Sequence, residues 1–175
     1  MVTKKVYVSL IADLLHAGHI NVLNEASKYG EVVVGLLTHN AINELNDSAF
    51  LKYQQRLEVI KNLKMVNEII PQDSASYQDN LLKVRPDFVV HGDDWVTGEQ
   101  SNYRKEVIEI LKEWGGKLIE VEYSSNISDQ NLKNQLMKLG ITSVQRLSRL
   151  RQLIKNRPIV RILEAHNALS ALIAE

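Results

Sequence analysis

The chain has 175 residues, is 45% hydrophobic, and balances 21 Lys and Arg against 21 Asp and Glu. This length suits one globular domain with a short excess, and the neutral balance gives no general attraction for nucleic acid or an anionic membrane. The lack of cysteine excludes disulfides, thiolate zinc sites and a cysteine nucleophile, which fits a cytoplasmic protein. Asp13, His16 and His19 interrupt the apolar start, which therefore predicts a strand rather than a signal peptide, and no apolar run approaches the roughly 18 residues that span a bilayer.

Short apolar runs alternate with segments of helical periodicity along the chain. The predicted strands are Val6–Ile11, Val32–Leu37, Glu68–Ile70, Asp87–His91 and Leu118–Val121. The predicted helices are Gly18–Tyr29, a pattern at Leu57, Ile60 and Leu63, Asn80–Val84, and a pattern at Val107, Ile108 and Leu111. We expect Pro71 to stop the third strand, and the polar stretch 38–52 receives no element. The alternation predicts the α/β class: a Rossmann-like five-stranded parallel sheet with flanking helices.

The chain changes character after the sheet domain, which we place at residues 1–140. A linker helix at 141–158 has an apolar stripe and charges of one sign; the stripe is Val144, Leu147, Leu150 and Ile154, and the charges are Arg146, Arg149, Arg151, Lys155 and Arg157. Such a helix either packs on its own domain with a solvated face or binds a partner. It lacks the aromatic residues that stack on nucleic-acid bases. Residues 159–175 are too short to form a domain.

An H-x-G-H pattern, His16 to His19, lies where the first strand meets the first helix. Ligands of open α/β sheets bind beyond the carboxyl ends of the strands, and a helix N-terminus there offers free N–H groups and a positive dipole end. Gly18 lets the backbone approach a phosphate closely. Nucleotidyl transfer needs alignment and charge neutralisation more than covalent catalysis. The pattern therefore predicts a polyphosphate site flanked by two catalytic imidazoles.

Two other interpretations of the histidine pair stay open at this point. The residues could be surface histidines near a helix start, or they could form half of a zinc site. Zinc requires further ligands, which His39 and His91 could supply from neighbouring strand ends. We assign no metal ion to the protein itself.

Three segments resemble, in order, the motifs of the cytidylyltransferases of the HxGH nucleotidyltransferase superfamily. They are Leu14–Ile20, Gln55–Ile60 and His91–Trp95, the last similar to a G-D-D-W loop. The resemblance covers about residues 5 to 140. It implies an enzyme that transfers CMP from CTP, accompanied by Mg²⁺, to a small phosphorus-containing acceptor, and that releases pyrophosphate.

The resemblance also implies roles for individual residues. His16 and His19 hold the reacting α-phosphate, and Arg56 contacts the triphosphate. The other implied nucleotide-binding residues are Ala12, Asp13, Gly18, His91, Gly92, Asp93, Asp94, Trp95, Ile127 and Ser128. A turn or strand-end cap is the alternative for Asp93 and Asp94, and simple packing is the alternative for Trp95.

The chain departs from the family pattern at several positions. His39 replaces a usual Asp, and Asn46 stands where relatives commonly have a phosphate-binding Lys, for which Lys52 could substitute. In the late loop, Tyr123 replaces an arginine, Asn126 a glycine and Asp129 a hydroxyl residue. Asp129 brings negative charge to the place where triphosphate is expected.

The tail carries a second resemblance. Ile162–Ser170 is similar to the opening strand of the phosphoenolpyruvate mutase barrel, although an unrelated terminal helix is the alternative. The tail implies fusion to, or association with, such a mutase, and an acceptor such as 2-aminoethylphosphonate or 2-hydroxyethylphosphonate. We expect a homodimer. We do not expect a strand in the tail, because a lone barrel strand has no neighbour to pair with.

Other functions compete with this one. The acceptor could be a phosphate ester such as phosphoethanolamine or glycerol 3-phosphate, and an adenylyl-transferring relative is a further enzyme alternative. The departures at the late loop motivate a different class, a non-catalytic domain that dimerises beside a mutase. The intact His16, Gly18 and His19 favour the enzyme.

Overall fold

The computed structural model describes residues 3–45, 47, 49–96, 100–122, 151 and 154–156, and at position 94 the backbone alone. The chain divides into two units, residues 1–138 and 139–175. The first unit contains the sheet, and the described residues of the second, 151 and 154–156, are helical. The boundaries placed at residues 140 and 158 stay predictions.

Strands and helices alternate through the described part of the first unit. The strands are β1 (Lys5–Leu10), β2 (Glu31–Leu37), β3 (Glu68–Gln72), β4 (Phe88–Gly92) and β5 (Lys117–Val121). The helices are α1 (Ala17–Ser27), α2 (His39–Glu44), α3 (Tyr53–Lys61), α4 (Gln78–Val84) and α5 (Ser101–Lys112), and Asp93–Trp95 form a 3₁₀ turn. None of these helices is long and apolar enough to cross a membrane.

The strands form one parallel sheet in the order β3-β2-β1-β4-β5. The chain runs outward from β1 to β3, then returns to place β4 on the other side of β1. In open sheets of this type, ligands bind beyond the carboxyl ends of the two strands where the order reverses. The predicted Rossmann-like five-stranded sheet is confirmed, and β1 and β4 flank its ligand-binding crevice.

Neighbouring residues of β1 pack into layers on opposite faces of the sheet. Val8 belongs to a cluster with Leu23 of α1 and Ile60 of α3. Tyr7 belongs to a second cluster, which contains Leu111 of α5. Because both faces are covered, the inner strands are continuous apolar runs rather than alternating ones.

The prediction that Pro71 stops the third strand is wrong. β3 continues to Gln72, and Pro71 pairs in register with Leu36 of β2. β3 is an edge strand, so proline removes no hydrogen bond from the ladder. The outward carbonyl of Pro71 accepts a hydrogen bond from Asn80 Nδ2 at 3.0 Å instead.

The polar stretch 38–52, which received no element, contains α2. This helix is short and buries Ala41 and Ile42. Two apolar positions in six residues give little periodic signal, so packing against the end of the sheet determines the helix more than its own sequence does.

Candidate active site

α1 begins at the H-x-G-H pattern, and both histidines take part in its first turn. His16 is the N-cap residue, and its Nδ1 accepts a hydrogen bond from the N–H of Gly18 at 3.0 Å. His19 Nδ1 accepts in turn from the N–H of His16 at 3.4 Å. The two rings lie 4.1 Å apart, centroid to centroid. This reciprocal cap brings the pair together beyond the carboxyl end of β1, where the sequence predicted it.

The same hydrogen bonds fix which ring nitrogen carries the proton. An Nδ1 that accepts from an N–H is unprotonated, so the neutral rings of His16 and His19 carry their hydrogen on Nε2. Burial, and to a lesser extent the neighbouring His16, lower the pKa of His19 to about 4. His19 is therefore neutral at pH 7 and offers an Nε2–H donor.

The turn between β1 and α1 holds Ala12 and Asp13 in constrained positions. Ala12 is buried with a φ of 55°, a left-handed conformation that a residue other than glycine adopts rarely and that occurs more often at functional sites. The buried carboxylate of Asp13 accepts from the N–H groups of Phe50 at 2.7 Å and Leu51 at 2.8 Å. Asp13 thus anchors the loop before α3 to this turn, and its contact with nucleotide stays a prediction.

Arg56 of α3 is fully buried, with 0% exposure. Its Nη1 donates to the carbonyls of Ile11 at 2.6 Å and Leu37 at 2.8 Å, which lie at the carboxyl ends of β1 and β2. Its Nε and Nη2 have no hydrogen-bond partner among the described residues. Burial lowers the pKa of the guanidinium, and Asp13 opposes that shift. Arg56 ties two strand ends together, and its contact with triphosphate stays a prediction.

The end of β4 supplies the other side of the site. The ring of His91 stacks on that of Trp95, with centroids 3.8 Å apart and planes at 14°. Trp95 is 1% exposed, donates from Nε1 to Glu120 at 2.9 Å and lines the cleft, and its contact with nucleotide stays a prediction. Gly92 is buried, and Asp93 is exposed.

A cleft of about 360 Å³ lies over the carboxyl ends of the strands. Four predicted site residues line it: His19, His91, Gly92 and Trp95. The other predicted residues in the described part of the chain do not line it; they are Ala12, Asp13, His16, Gly18, Arg56 and Asp93. The structure thus places the His16–His19 motif and the His91–Trp95 motif at the same edge of the sheet, and the roles of the individual residues stay predictions.

Several residues that belong to none of the predicted motifs line the same cleft, namely Ser9, Asp47, Gln72, Tyr77 and Tyr103. Gln72 had a usable signal, because it is a polar residue at the end of a strand. Tyr77 and Tyr103 had none, since an aromatic residue beside a helix is usually a packing residue.

Some predictions fall outside the described residues. These predictions concern Ile127 and Ser128, the departures at positions 46, 123, 126 and 129, and the tail resemblance. The side chain of Asp94 is likewise outside the description. In the described part of the chain no three His, Asp or Glu side chains are grouped to hold a metal ion, so the zinc interpretation lacks a ligand set there.

A Rossmann-like sheet with paired histidines at the first helix N-terminus, beside a cleft at the strand ends, defines a nucleotidyltransferase domain. More particularly, residues 11–134 match the cytidylyltransferase-like family, and the chain belongs to that family.

Similar proteins carry several activities in their names. The chain is 32% identical to the bifunctional protein HldE of Methylobacillus flagellatus over 71% of this chain and 25% of that protein. It is 28% identical to an ethanolamine-phosphate cytidylyltransferase of Dictyostelium discoideum over 82% of this chain and 39% of that protein. It is 30% identical to the glycerol-3-phosphate cytidylyltransferase of Bacillus subtilis, over 53% of this chain and 73% of that protein. The chain therefore spans well under half of the first two relatives.

Solved structures share the fold. A lipopolysaccharide core biosynthesis protein from Thermoplasma volcanium superposes with a TM-score of 0.58 at 24% identity, over 70% of this chain and 97% of that one. A pantoate-beta-alanine ligase from Francisella tularensis gives a TM-score of 0.55 at 15% identity, over 91% of this chain and 74% of that one.

Proposed function

We propose that this domain is a cytidylyltransferase that transfers CMP from CTP to a small phosphonate, 2-aminoethylphosphonate or 2-hydroxyethylphosphonate. The observation that carries the proposal is the capped pair His16 and His19 at the N-terminus of α1, beside the cleft. Family membership supports CTP as the donor.

The geometry suits in-line nucleotidyl transfer. A phosphonate oxygen attacks the α-phosphorus of CTP and forms a new P–O–P bond, while the bond from the α-phosphorus to the bridging oxygen breaks and pyrophosphate leaves with the electron pair. The Nε2–H groups of His16 and His19 donate to α-phosphate oxygens as negative charge grows on them. Because backbone N–H groups hold both Nδ1 atoms, the rings need no reorientation in the transition state.

The acceptor class rests on similarity of chemistry. Two relatives are named for ethanolamine phosphate and glycerol 3-phosphate, which are small phosphate monoesters. 2-Aminoethylphosphonate differs from phosphoethanolamine by the loss of one bridging oxygen, so one site shape suits both. We prefer a phosphonate acceptor because the tail resembles the opening strand of a phosphoenolpyruvate mutase. A phosphate ester is the second candidate acceptor.

Magnesium is proposed to enter with CTP. Mg²⁺ is commonly held by phosphate oxygens together with few protein ligands, and the described residues present no cluster of three candidate ligands. Bound to the triphosphate, the ion supplies charge neutralisation on the leaving pyrophosphate.

We also propose that the protein forms a homodimer, associates with a phosphoenolpyruvate mutase and is located in the cytoplasm. In the alternative, a decayed domain dimerises beside the mutase in the same way but catalyses no reaction. The intact histidine geometry supports the enzyme over this alternative.

Product formation tests the proposal. The chain is incubated with Mg²⁺, each nucleoside triphosphate and a panel of phosphonates and phosphate esters, and the products are followed by ³¹P NMR. The proposal expects pyrophosphate together with the paired P–O–P signals of a CMP-phosphonate. Product with phosphate esters alone would move the acceptor to the second candidate, and no product with any acceptor would support the decayed domain.

A further inference from the structure

A carboxylate lies on the face of β5 that packs on the core. β5 is an edge strand, and its Leu118 packs against the cluster that contains Trp95. Residues two apart on a strand share a face, so Glu120 points to the same side of the sheet as Leu118. Glu120 is also the register partner of His91 on β4. The strand pairing therefore places a charged side chain beside two rings that line the cleft.

Three hydrogen bonds converge on the carboxylate of Glu120. Its Oε1 accepts from Trp95 Nε1 at 2.9 Å and from Arg104 Nε at 2.8 Å, and its Oε2 accepts from Arg104 Nη2 at 2.8 Å. These hydrogen bonds, those from Arg104 most of all, lower the pKa of Glu120, so the carboxylate is ionised at pH 7. A two-point contact with a planar guanidinium fixes the orientation of a carboxylate as well as its position. Arg104 therefore aims Glu120 at the indole.

The indole carries this restraint into the cleft. Trp95 is 1% exposed, and its buried N–H takes the carboxylate as its acceptor. Its ring stacks on that of His91 with the planes at 14°, and both residues line the cleft. Glu120 and Arg104 do not line it. The two charged residues thus contact the wall of the cleft from behind, and they act on a ligand there through other side chains.

The ion pair joins three separate elements around this wall. Glu120 belongs to β5, Trp95 to the 3₁₀ turn after β4, and Arg104 to α5. If Glu120 were lost, the buried N–H of Trp95 would have no acceptor, which is costly enough to favour a turn of the ring. Because His91 is stacked on that ring, the shape of the wall would change with it.

Resting on the proposed function, we infer that Glu120 and Arg104 are positioning residues, which hold the stacked rings of His91 and Trp95 in the orientation that binds CTP. Neither residue belongs to a motif of the sequence analysis. The two act as one unit, because Arg104 orients the carboxylate and the carboxylate orients the indole. Their role concerns affinity for the nucleotide, whereas the histidine pair of α1 acts on the transition state.

The indole N–H signals test the contact in the intact protein without nucleotide. The chain has two tryptophans, and their N–H resonances in a ¹⁵N–¹H NMR spectrum are assigned with Trp95→Phe. Glu120→Leu is expected to shift the Trp95 resonance and to speed its exchange with solvent, because the donor loses its acceptor. Arg104→Met is expected to shift it less. Glu109→Leu, which breaks an exposed ion pair with Lys112, is the matched control. An unchanged Trp95 resonance in Glu120→Leu would overturn the inference.

Calorimetry with CTP separates positioning from a general loss of structure. Glu120→Leu is expected to raise the Kd for CTP about tenfold, a coupling typical of residues in one hydrogen-bond network, and Glu109→Leu is expected to leave it unchanged. In the Trp95→Phe background, Glu120→Leu should cause no further loss, since the indole that it orients is gone. A loss of the same size in both backgrounds would overturn the inference, because the carboxylate would then act by another route.

Pyrophosphate release distinguishes this inference from the proposed function. At saturating CTP, the kcat of Glu120→Leu should stay within about threefold of the wild type, because the lost interaction serves binding and not the chemical step. A large fall in kcat with an unchanged Kd for CTP would overturn the inference. If the variants bind CTP in the expected order but neither they nor the wild type form pyrophosphate with any acceptor, the proposed function fails and the positioning role stands.

Discussion

His16 and His19 cap each other: the Nδ1 of His19 accepts the N–H of His16, and the two rings lie 4.1 Å apart. The Nδ1 of His16 likewise accepts the N–H of Gly18, so one nitrogen of each ring serves the start of α1. One short motif therefore both starts α1 and places two neighbouring imidazole rings at its N-terminus.

The depressed pKa of His19 predicts how stability depends on pH. A histidine with a pKa of about 4 when folded and about 6.5 when unfolded binds its proton more readily in the unfolded chain. Its contribution to stability is complete above pH 6.5 and is lost as pH falls towards 4, by about 3 kcal/mol. Urea unfolding at pH 7, 5.5 and 4.5 measures this, and His19→Gln should flatten the dependence. An unchanged slope in the variant would assign the loss to other groups.

We predict that Arg56 contributes to the stability of the fold as well as to any binding of nucleotide, and that its loss mainly lowers stability. Arg56→Met leaves the carbonyls of Ile11 and Leu37 without their donor, so we expect a loss of about 3 kcal/mol in the free energy of unfolding. Chemical denaturation measures it, with Arg151→Met, at an exposed position, as the control. A variant of normal stability that no longer binds CTP would instead show that the guanidinium mainly serves the triphosphate.

Membership of the cytidylyltransferase-like family predicts which nucleoside triphosphate the protein prefers. We expect CTP to bind more tightly than ATP or GTP, because the base site is expected to fit the smaller pyrimidine. Calorimetry with the three nucleotides measures the order. A preference for ATP would favour the adenylyl-transferring alternative, and binding of none would favour the decayed domain.

The tail gives a prediction about domain organisation. Residues 158–175 are expected to be dispensable for the sheet domain, with Pro158 interrupting the helix before them. Their deletion should leave the melting temperature and the CTP affinity nearly unchanged, as measured by calorimetry. A large fall in melting temperature would show that the tail belongs to the core of this domain, and would remove the main sequence argument for a phosphonate acceptor.

The sheet could be predicted because its inner strands carry a local signal. β2 is a continuous apolar run, and the H-x-G-H pattern marks the start of α1. The continuation of β3 through Pro71 depends on strand order, because proline is tolerated only where its missing N–H faces away from a neighbour. That property belongs to the assembled sheet and has no local pattern.

The motif residues of the site could be predicted from the sequence, but the other residues that line the cleft could not. His19, His91 and Trp95 belong to recognisable segments, whereas Ser9 and Gln72 are ordinary residues until two strand ends bring them together. The hydroxyls of Tyr7 and Ser9 both donate to Oε1 of Gln72. Gly35 leaves room for these hydrogen bonds, since a Cβ there would lie 1.8 Å from the Tyr7 hydroxyl. Hydrogen bonds between strands that are distant in the sequence cannot be predicted from the residues of one strand.

The most direct test of nucleotidyl transfer through the histidine pair is pyrophosphate release from CTP and 2-aminoethylphosphonate by the wild type, His16→Ala and His19→Ala, with the Kd for CTP measured in parallel. Each variant is predicted to lose a factor of order 10² or more in kcat while its Kd for CTP changes little, because the donors act mainly on charge that develops in the transition state. His166→Ala, in the tail, is the matched control. Near-normal turnover in both His16→Ala and His19→Ala would contradict the mechanism.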